Sequence, residues 1–234
     1  AVSSARTYRI APASGRHSRA IRAASRNQGS GKAAAPAAIF LHFLEFLGPV
    51  ADGETFTQSV TWVGSLGVSY SIAVDGLSLT FALLVTGIGT LVMIYAGAYF
   101  AKKPWADRTR FLVYILAFMT AMLGTVFADN LIVLFIFWEA TSIVSFALIG
   151  FTGENRGARQ AALQSLLVTA GGGLALFAGI LMIGIVAGSF SLSALVANPQ
   201  PVIDSPYFVA IVALVALGTF TKSAQFPFHF WLPR

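Results

Sequence analysis

The sequence predicts an all-α membrane protein, a polytopic bundle of about six transmembrane helices with the last one broken at Pro227. Hydrophobic residues make up 56% of the chain and charged residues only 10%, against about 25% charged in a typical soluble domain. Several apolar runs reach about 20 residues, the length that crosses roughly 30 Å of hydrocarbon. Because backbone groups cannot stay unpaired in lipid, such runs are predicted to be helices.

Residues 1–32 differ from the remainder, since they carry seven Arg and Lys side chains and no acidic one. Their Arg-, Ser- and Ala-rich composition predicts a basic disordered tail, which fits either an organellar targeting segment or an aberrant start of the chain. Nucleic-acid binding is a poorer interpretation because Tyr8 is the one aromatic residue there. Residues 33–234, with eight basic and nine acidic groups, are predicted to be the transmembrane domain.

The predicted spans differ in strength. The first is weak because Pro36, His42 and Glu45 interrupt it. Three glycines in a row, Gly171–Gly173, interrupt a later span; they indicate either a hinge or a site of tight packing. The six segments are 33–51, 77–100, 111–128, 131–151, 161–188 and 207–224.

The loops between these spans alternate in charge. Residues 101–110 and 152–160 contain Lys and Arg, whereas residues 52–76, 129–130 and 189–206 contain none. Positively charged loops stay on the cytoplasmic side of a membrane. The alternation therefore predicts that the two basic loops share one side, opposite the base-free loops. Asp129 precedes the apolar run that begins at Leu131 and is predicted to be a helix N-cap, and Asp75-Gly76 is a turn-prone pair before the run that begins at Leu77.

The third strong span, residues 131–151, contains a single carboxylate, Glu139. A charge at the bilayer centre costs about 2.5–3.5 kcal/mol on insertion scales and usually faces the protein interior with a partner. Lys222 is the one basic residue inside another apolar segment, so the sequence predicts that the two side chains pair. The alternatives are a packing role for Glu139 and a Lys222 side chain that extends to the interface.

Pro227 predicts a break in the last span. Proline has no N–H to donate to the carbonyl of Ser223, and its ring disfavours helical geometry at Phe226. The helix is therefore expected to end just after Lys222, as the broken helices of transporters do beside an ion path. His229 lies beyond the break and could exchange protons near neutral pH, although an interfacial or hydrogen-bonded role is the commoner one for such a histidine.

Three stretches together resemble the A subunit of the Mrp-type multisubunit sodium/proton antiporters: LIVLFIFWEATSIVSFALIGF, AALQSLLVTAGGGLALFAG and FTKSAQFPFHFWLP. That subunit belongs to the superfamily of the antiporter-like chain 5, or L, of respiratory NADH–quinone oxidoreductase. The resemblance covers roughly residues 62–233. It implies that the chain is incomplete at both ends and is a partial antiporter-like domain.

The resemblance also implies roles for individual residues. Glu139 matches the family's membrane glutamate, Lys222 the lysine on its broken helix, and His229 a histidine beside the break. The first two are expected to form an ion pair whose strength changes as protons move. The implied partners are the other subunits of a membrane antiporter complex, the lipid bilayer, protons and Na⁺.

The resemblance therefore implies an ion-transporting subunit of a bacterial cytoplasmic membrane, with an organellar inner membrane as the alternative. A first rival is the proton-pumping subunit of an NADH–quinone oxidoreductase, and a second is a membrane scaffold that translocates nothing. No cofactor or metal site is expected, because the sequence shows no nucleotide-binding loop and no metal-ligand cluster, and it contains no cysteine. An enzyme of its own is accordingly not predicted.

Overall fold

The computed structural model of the protein describes residues 33–66 and 68–232, so the predictions made for the tail at residues 1–32 lie outside the described residues. The helices of this part are α1 (Ala33–Leu44), α2 (Leu47–Ala51), α3 (Gly76–Tyr99), α4 (Trp105–Phe127), α5 (Leu131–Ile149), α6 (Arg156–Ala187), α7 (Leu192–Ala197), α8 (Gln200–Ile203) and α9 (Phe208–Lys222). Short 3₁₀ turns cover Gly64–Leu66, Phe100–Lys102 and Phe228–Trp231.

Four helices, α3 to α6, are long and apolar enough to cross a membrane, and α1 and α9 are shorter apolar helices. The 15 residues of α9 extend about 22 Å at 1.5 Å per residue, less than the hydrocarbon thickness. The prediction of a polytopic helical bundle is confirmed. The weak first span divides into α1 and α2. The prediction of one continuous helix over residues 33–51 was therefore wrong.

Helices α6 and α9 pack closely through small residues. A Cβ added at Gly218 of α9 would lie 2.9 Å from the carbonyl oxygen of Gly172 on α6, and a Cβ at Gly172 would overlap the side chain of Thr221. Close contact of this kind is how membrane helices associate without a hydrophobic driving force. Helix α6 runs unbroken through Gly171–Gly173, and two of these glycines, Gly172 and Gly173, lie against side chains of other helices, which favours the packing interpretation.

The base-free loops meet at one end of the bundle. The Asp129 backbone N–H donates to the Ser71 carbonyl at 2.9 Å, and the Asp129 carbonyl accepts from the Leu192 N–H at 2.7 Å. At the other end the two basic loops meet, where the Arg110 guanidinium lies 4.7 Å from the centre of the Phe151 ring. The predicted grouping of the loops is therefore confirmed.

A β-hairpin that the sequence did not predict occupies the first base-free loop. Strand β1 (Phe56–Val63) pairs antiparallel with β2 (Val68–Val74), with a register shift between Thr61 and Val63. An isolated two-stranded hairpin is marginally stable in water. Here β2 also bridges Ala128 through Ile72, which explains why this hairpin forms. The all-α prediction holds for the membrane spans and fails for this loop.

Two aspartates lie near the starts of helices. At Asp75, where the sequence predicted a turn, the structure has the N-cap of α3, in a capping box in which the Asp75 carboxylate accepts from the Ser78 N–H at 2.8 Å. Asp129 was the wrong residue for α5, because the cap is Asn130. The carboxylate of Asp129 accepts instead from the backbone N–H of Ser193 at 2.8 Å. It thereby ties the first turn of α7 to the residues before α5.

Candidate functional site

Lys222, the last residue of α9, extends its side chain to α5. Its Nζ donates to the hydroxyl of Ser142 at 2.5 Å and to the backbone carbonyl of Trp138 at 3.1 Å. The same ammonium lies 5.4 Å from the centre of the Trp138 ring, within the range of a cation–π interaction. Since Ser142 is buried, these neutral groups hold the ammonium against α5, which favours a buried contact over a side chain that extends to the interface.

Glu139 lies on the same face of α5 as Ser142, three residues away. Its carboxylate packs against Gly173 of α6, where an added Cβ would overlap it. The oxygen Oε1 is buried and has no hydrogen-bond partner in the described part of the chain. A buried acceptor without a partner is costly, so this oxygen is available to accept a donor.

The ion pair that the resemblance implies is not closed in this structure. The salt bridges among residues 33–66 and 68–232 are His42–Glu45 and Arg110–Asp107. Glu139 and Lys222 therefore lie in one site without direct contact. Lys222 is bonded to Ser142 on the same helix that carries Glu139.

The break in α9 falls where the sequence predicts it, directly after Lys222. The Ser223 N–H still bonds the Thr219 carbonyl at 2.9 Å, and Ala224 then takes a left-handed backbone conformation with φ +51°. The indole N–H of Trp231 donates to the Thr221 carbonyl at 3.0 Å. Trp231 thus satisfies a carbonyl that the broken helix leaves free.

His229 lies beyond this break, in the turn Phe228–Trp231. Its ring is exposed and stacks on Phe226, with 5.8 Å between the ring centres. No hydrogen bond joins it to Lys222 in the described part of the chain. The structure thus brings Glu139 and Lys222 into one site and leaves His229 at its outer edge.

Sequence reasoning missed Ser142 and the carbonyl of Trp138, and it singled out Gly173 without connecting it to Glu139. The signal for Ser142 was available, because a hydroxyl three residues after an intramembrane glutamate shares its helix face. No signal pointed to the Trp138 carbonyl, since helix carbonyls are normally used within the helix. As to metals, the residues that the structure describes contain no group of three or more His, Cys, Asp or Glu side chains that could hold an ion.

The fold and the site together define a polytopic membrane protein that buries ionisable side chains at a helix break. Two family models match it: "NADH:quinone oxidoreductase/Mrp antiporter, TM" over residues 128–234 and "NADH-Ubiquinone oxidoreductase (complex I), chain 5 N-terminus" over residues 60–112. These matches, over two separate parts of the chain, confirm the resemblance seen in the sequence.

Individual relatives agree with this assignment. The chain is 44% identical over 198 residues to the A subunit of the Na(+)/H(+) antiporter of Alkalihalophilus pseudofirmus, a match that covers 85% of this chain and 24% of the relative. The chain therefore spans about a quarter of the length of this relative.

Solved structures show the same fold. The structure of the Mrp complex from Dietzia sp. contains a chain that is 34% identical, with a TM-score of 0.78, over 89% of this chain and 22% of that one. Respiratory complex I from Thermus thermophilus with bound NADH contains a chain that is 25% identical, with a TM-score of 0.71, over 88% of this chain and 42% of that one.

Proposed function

We propose that this chain is part of the proton-translocating membrane subunit of a multisubunit monovalent cation/proton antiporter. It would act as a transporter subunit with no substrate chemistry of its own, assembled with other subunits in a bacterial cytoplasmic membrane. Na⁺ is the proposed exchanged cation, in line with the name of the relative from Alkalihalophilus pseudofirmus. Glu139 and Lys222 are the proposed proton-carrying pair, with His229 as an outer relay.

One observation carries this proposal. The Lys222 ammonium is bonded to the neutral acceptors Ser142 and Trp138, while the nearby Glu139 carboxylate has an oxygen without a partner. A lysine and a glutamate that served packing alone would be expected to close their ion pair, because an unpaired buried charge is strongly destabilising. An open pair is expected where the contact has to form and break during function.

The mechanism follows from the two acceptors open to Lys222. When the amine contacts Glu139, the countercharge favours the protonated ammonium. When it contacts Ser142 and the Trp138 carbonyl, the countercharge is more distant and release of a proton from Nζ is easier. A proton that reaches a neighbouring site, or a shift of the chain around Pro227, would move Lys222 between these states. The pair titrates as a unit, so the released proton belongs to both groups.

The released proton needs a route away from Nζ. The hydroxyl of Ser142 can accept a proton while donating its own, which makes it the proposed first relay. His229 lies after the helix break and is exposed, so it is the proposed group at the outer end. Both ring nitrogens of a histidine can exchange protons near neutral pH.

A subunit of a redox-driven proton pump is the second candidate. The chain from Thermus thermophilus complex I, which shares the fold at 25% identity, supports it. The two candidates differ in what drives the protons. Transport that requires a cation gradient and proceeds without NADH supports the antiporter, and transport that requires NADH oxidation supports the pump.

Antiport by everted vesicles that carry the complete complex tests the proposal. Glu139→Gln removes the charge and retains the size, so we expect transport to fall about 100-fold, as for loss of a general acid or base. Lys222→Ala is expected to fail similarly. The double variant is expected to be no worse than either single variant, because residues that act as a unit are non-additive.

The matched control is Glu45→Gln, which alters an exposed carboxylate of the first span and is expected to transport normally. Each variant must assemble to the wild-type level, measured by the amount of complex in the membrane. Normal transport by Glu139→Gln and Lys222→Ala would contradict the proposal and favour a scaffold that translocates nothing. Strictly additive losses would contradict the paired mechanism.

A further inference from the structure

A cleft between α4, α5 and α6 opens at the base-rich end of the bundle. Its inner walls are apolar or aromatic and include Tyr114, Phe146 and Leu163, whereas its rim carries Arg156 and Arg159 at the start of α6. The cleft thus joins a cationic edge to an apolar groove at the end of membrane-spanning helices. This arrangement is complementary to a membrane lipid. The cationic edge matches an ionic headgroup, and the apolar groove matches an acyl chain.

The two arginines are available for an external anion. No ion pair engages Arg156 or Arg159 in residues 33–66 and 68–232, whereas Arg110 nearby is paired with Asp107 at 3.3 Å. Arg159 donates through Nη1 to the Gly153 carbonyl at 2.6 Å. This bond fixes its guanidinium at the rim and leaves other donors of the fork free.

The charge of this end of the protein favours an anion. Around the cleft, the segments 101–110 and 152–160 carry six Lys and Arg side chains against two acidic ones. The opposite end carries acidic side chains in residues 52–76, 129–130 and 189–206 and no basic one. Basic loops face the cytoplasm, where the membrane surface is anionic and attracts basic side chains close to it.

We propose that this cleft binds an anionic phospholipid. The headgroup phosphate accepts from Arg156 and Arg159, because a guanidinium fork matches phosphate geometry. One acyl chain lies along Phe146 and Leu163, whose side chains are 36% and 51% exposed and would otherwise meet water at the membrane interface. The lipid would tie α5 to α6 at the end where the loop between them turns. A soluble phosphate ion would contact only the two arginines at the rim and would leave the apolar groove empty.

Native mass spectrometry of the purified full chain, titrated with phosphatidylglycerol or with phosphatidylcholine, tests this proposal. We expect a discrete complex with phosphatidylglycerol at concentrations where phosphatidylcholine gives none. The variant Arg156→Gln/Arg159→Gln should bind phosphatidylglycerol about 30-fold more weakly, since each basic side chain at an anionic surface contributes about a fivefold factor. Leu163→Gln should weaken phospholipid binding and leave binding of glycerophosphoglycerol, the free headgroup, unchanged.

The matched control is Lys102→Gln/Lys103→Gln, which removes the same charge from the same end outside the cleft, and it should change binding by less than about threefold. Arg156→Lys/Arg159→Lys retains the charge and should bind more tightly than the glutamine variant, which separates lipid binding from misfolding. Equal losses in the two glutamine variants would mean diffuse surface charge and overturn the proposal. Full competition by inorganic phosphate, or equal binding of the two lipids, would also overturn it.

Discussion

Helix α6 contains three glycines that weaken a helix and continues through them, whereas α9 ends five residues before a proline. Gly171–Gly173 lie in the middle of α6, which runs unbroken over 32 residues. Pro227 follows α9, which ends at Lys222 after 15 residues. Glycine costs about 1 kcal/mol of conformational freedom and retains its N–H, whereas proline removes a donor and clashes with the preceding turn.

The two helices are also complementary. The missing side chains of α6 admit Thr221 at Gly172 and the Glu139 carboxylate at Gly173. The end of α9 places Lys222 beside them. The glycines of α6 and the break after α9 therefore build a single site. The glycines can be tested by filling the space beside them, and the break can be tested by removing the group that stabilises it.

Filling the glycine space is expected to have the largest effect. Gly172→Val would place a branched side chain on Thr221, where even a Cβ overlaps, and overpacking costs about 1–3 kcal/mol or more. The matched control is Gly171→Val, because nothing lies within 4 Å of a Cβ there. The free energy of unfolding in mixed detergent micelles, titrated with SDS, measures both variants. A control as unstable as Gly172→Val would show that helix flexibility, and not space, is the requirement.

The cap of the broken helix is expected to give a smaller effect. Trp231→Phe retains a ring and removes the indole N–H that bonds the Thr221 carbonyl at 3.0 Å. Loss of such a bond is expected to cost about 1 kcal/mol and to accelerate amide hydrogen exchange in the last turn of α9. The control variant is Trp105→Phe, which should leave amide hydrogen exchange in α9 unchanged. Unchanged exchange in Trp231→Phe would show that Trp231 does not stabilise the break.

The N-cap of α3 is expected to have the smallest effect on the free energy of unfolding, compared with the glycines of α6 and the end of α9. The pKa of the Asp75 carboxyl lies below its ordinary value, chiefly because the backbone N–H of Ser78 donates to it. This stabilisation is present above the carboxyl pKa of the unfolded chain and is lost as the pH falls through the folded value. Asp75 therefore stays ionised near neutral pH, and its contribution to the free energy of unfolding should not vary with pH in that range.

Substitution at this cap follows the same reasoning. Asp75→Ala should lose about 0.5–1 kcal/mol at pH 7, as for other N-caps, and the difference from wild type should shrink below pH 4. The unfolding titration repeated at several pH values measures it. A difference that grows on acidification would contradict the assigned sign.

The sequence predicted features whose physical cause is local. The end of α9 follows from the chemistry of Pro227, which acts on a few consecutive residues. The grouping of the loops follows from the charge of each loop, which is read from the sequence without knowledge of contacts between helices.

The features that the sequence missed depend on contacts between distant segments. The hairpin is stabilised by the bridge from Ile72 to Ala128, and Asp129 is drawn from the cap of α5 by Ser193. The acceptor of Lys222 is Ser142, 80 residues away. The charges of Glu139 and Lys222 predicted a direct pair, whereas a buried hydroxyl competes with the carboxylate in the folded bundle.

The central claim is that Lys222 must release its proton during transport, and Lys222→Arg tests it most directly. Arginine retains the positive charge and does not deprotonate in proteins. Because the chain contains no cysteine, Lys222→Cys can be alkylated with bromoethylamine to restore an amine of nearly the original length. Antiport by the reconstituted complete complex is expected to fall about 100-fold in Lys222→Arg and to recover in the alkylated Lys222→Cys. Wild-type transport by Lys222→Arg, or no recovery with the restored amine, would contradict a proton-carrying role for Lys222.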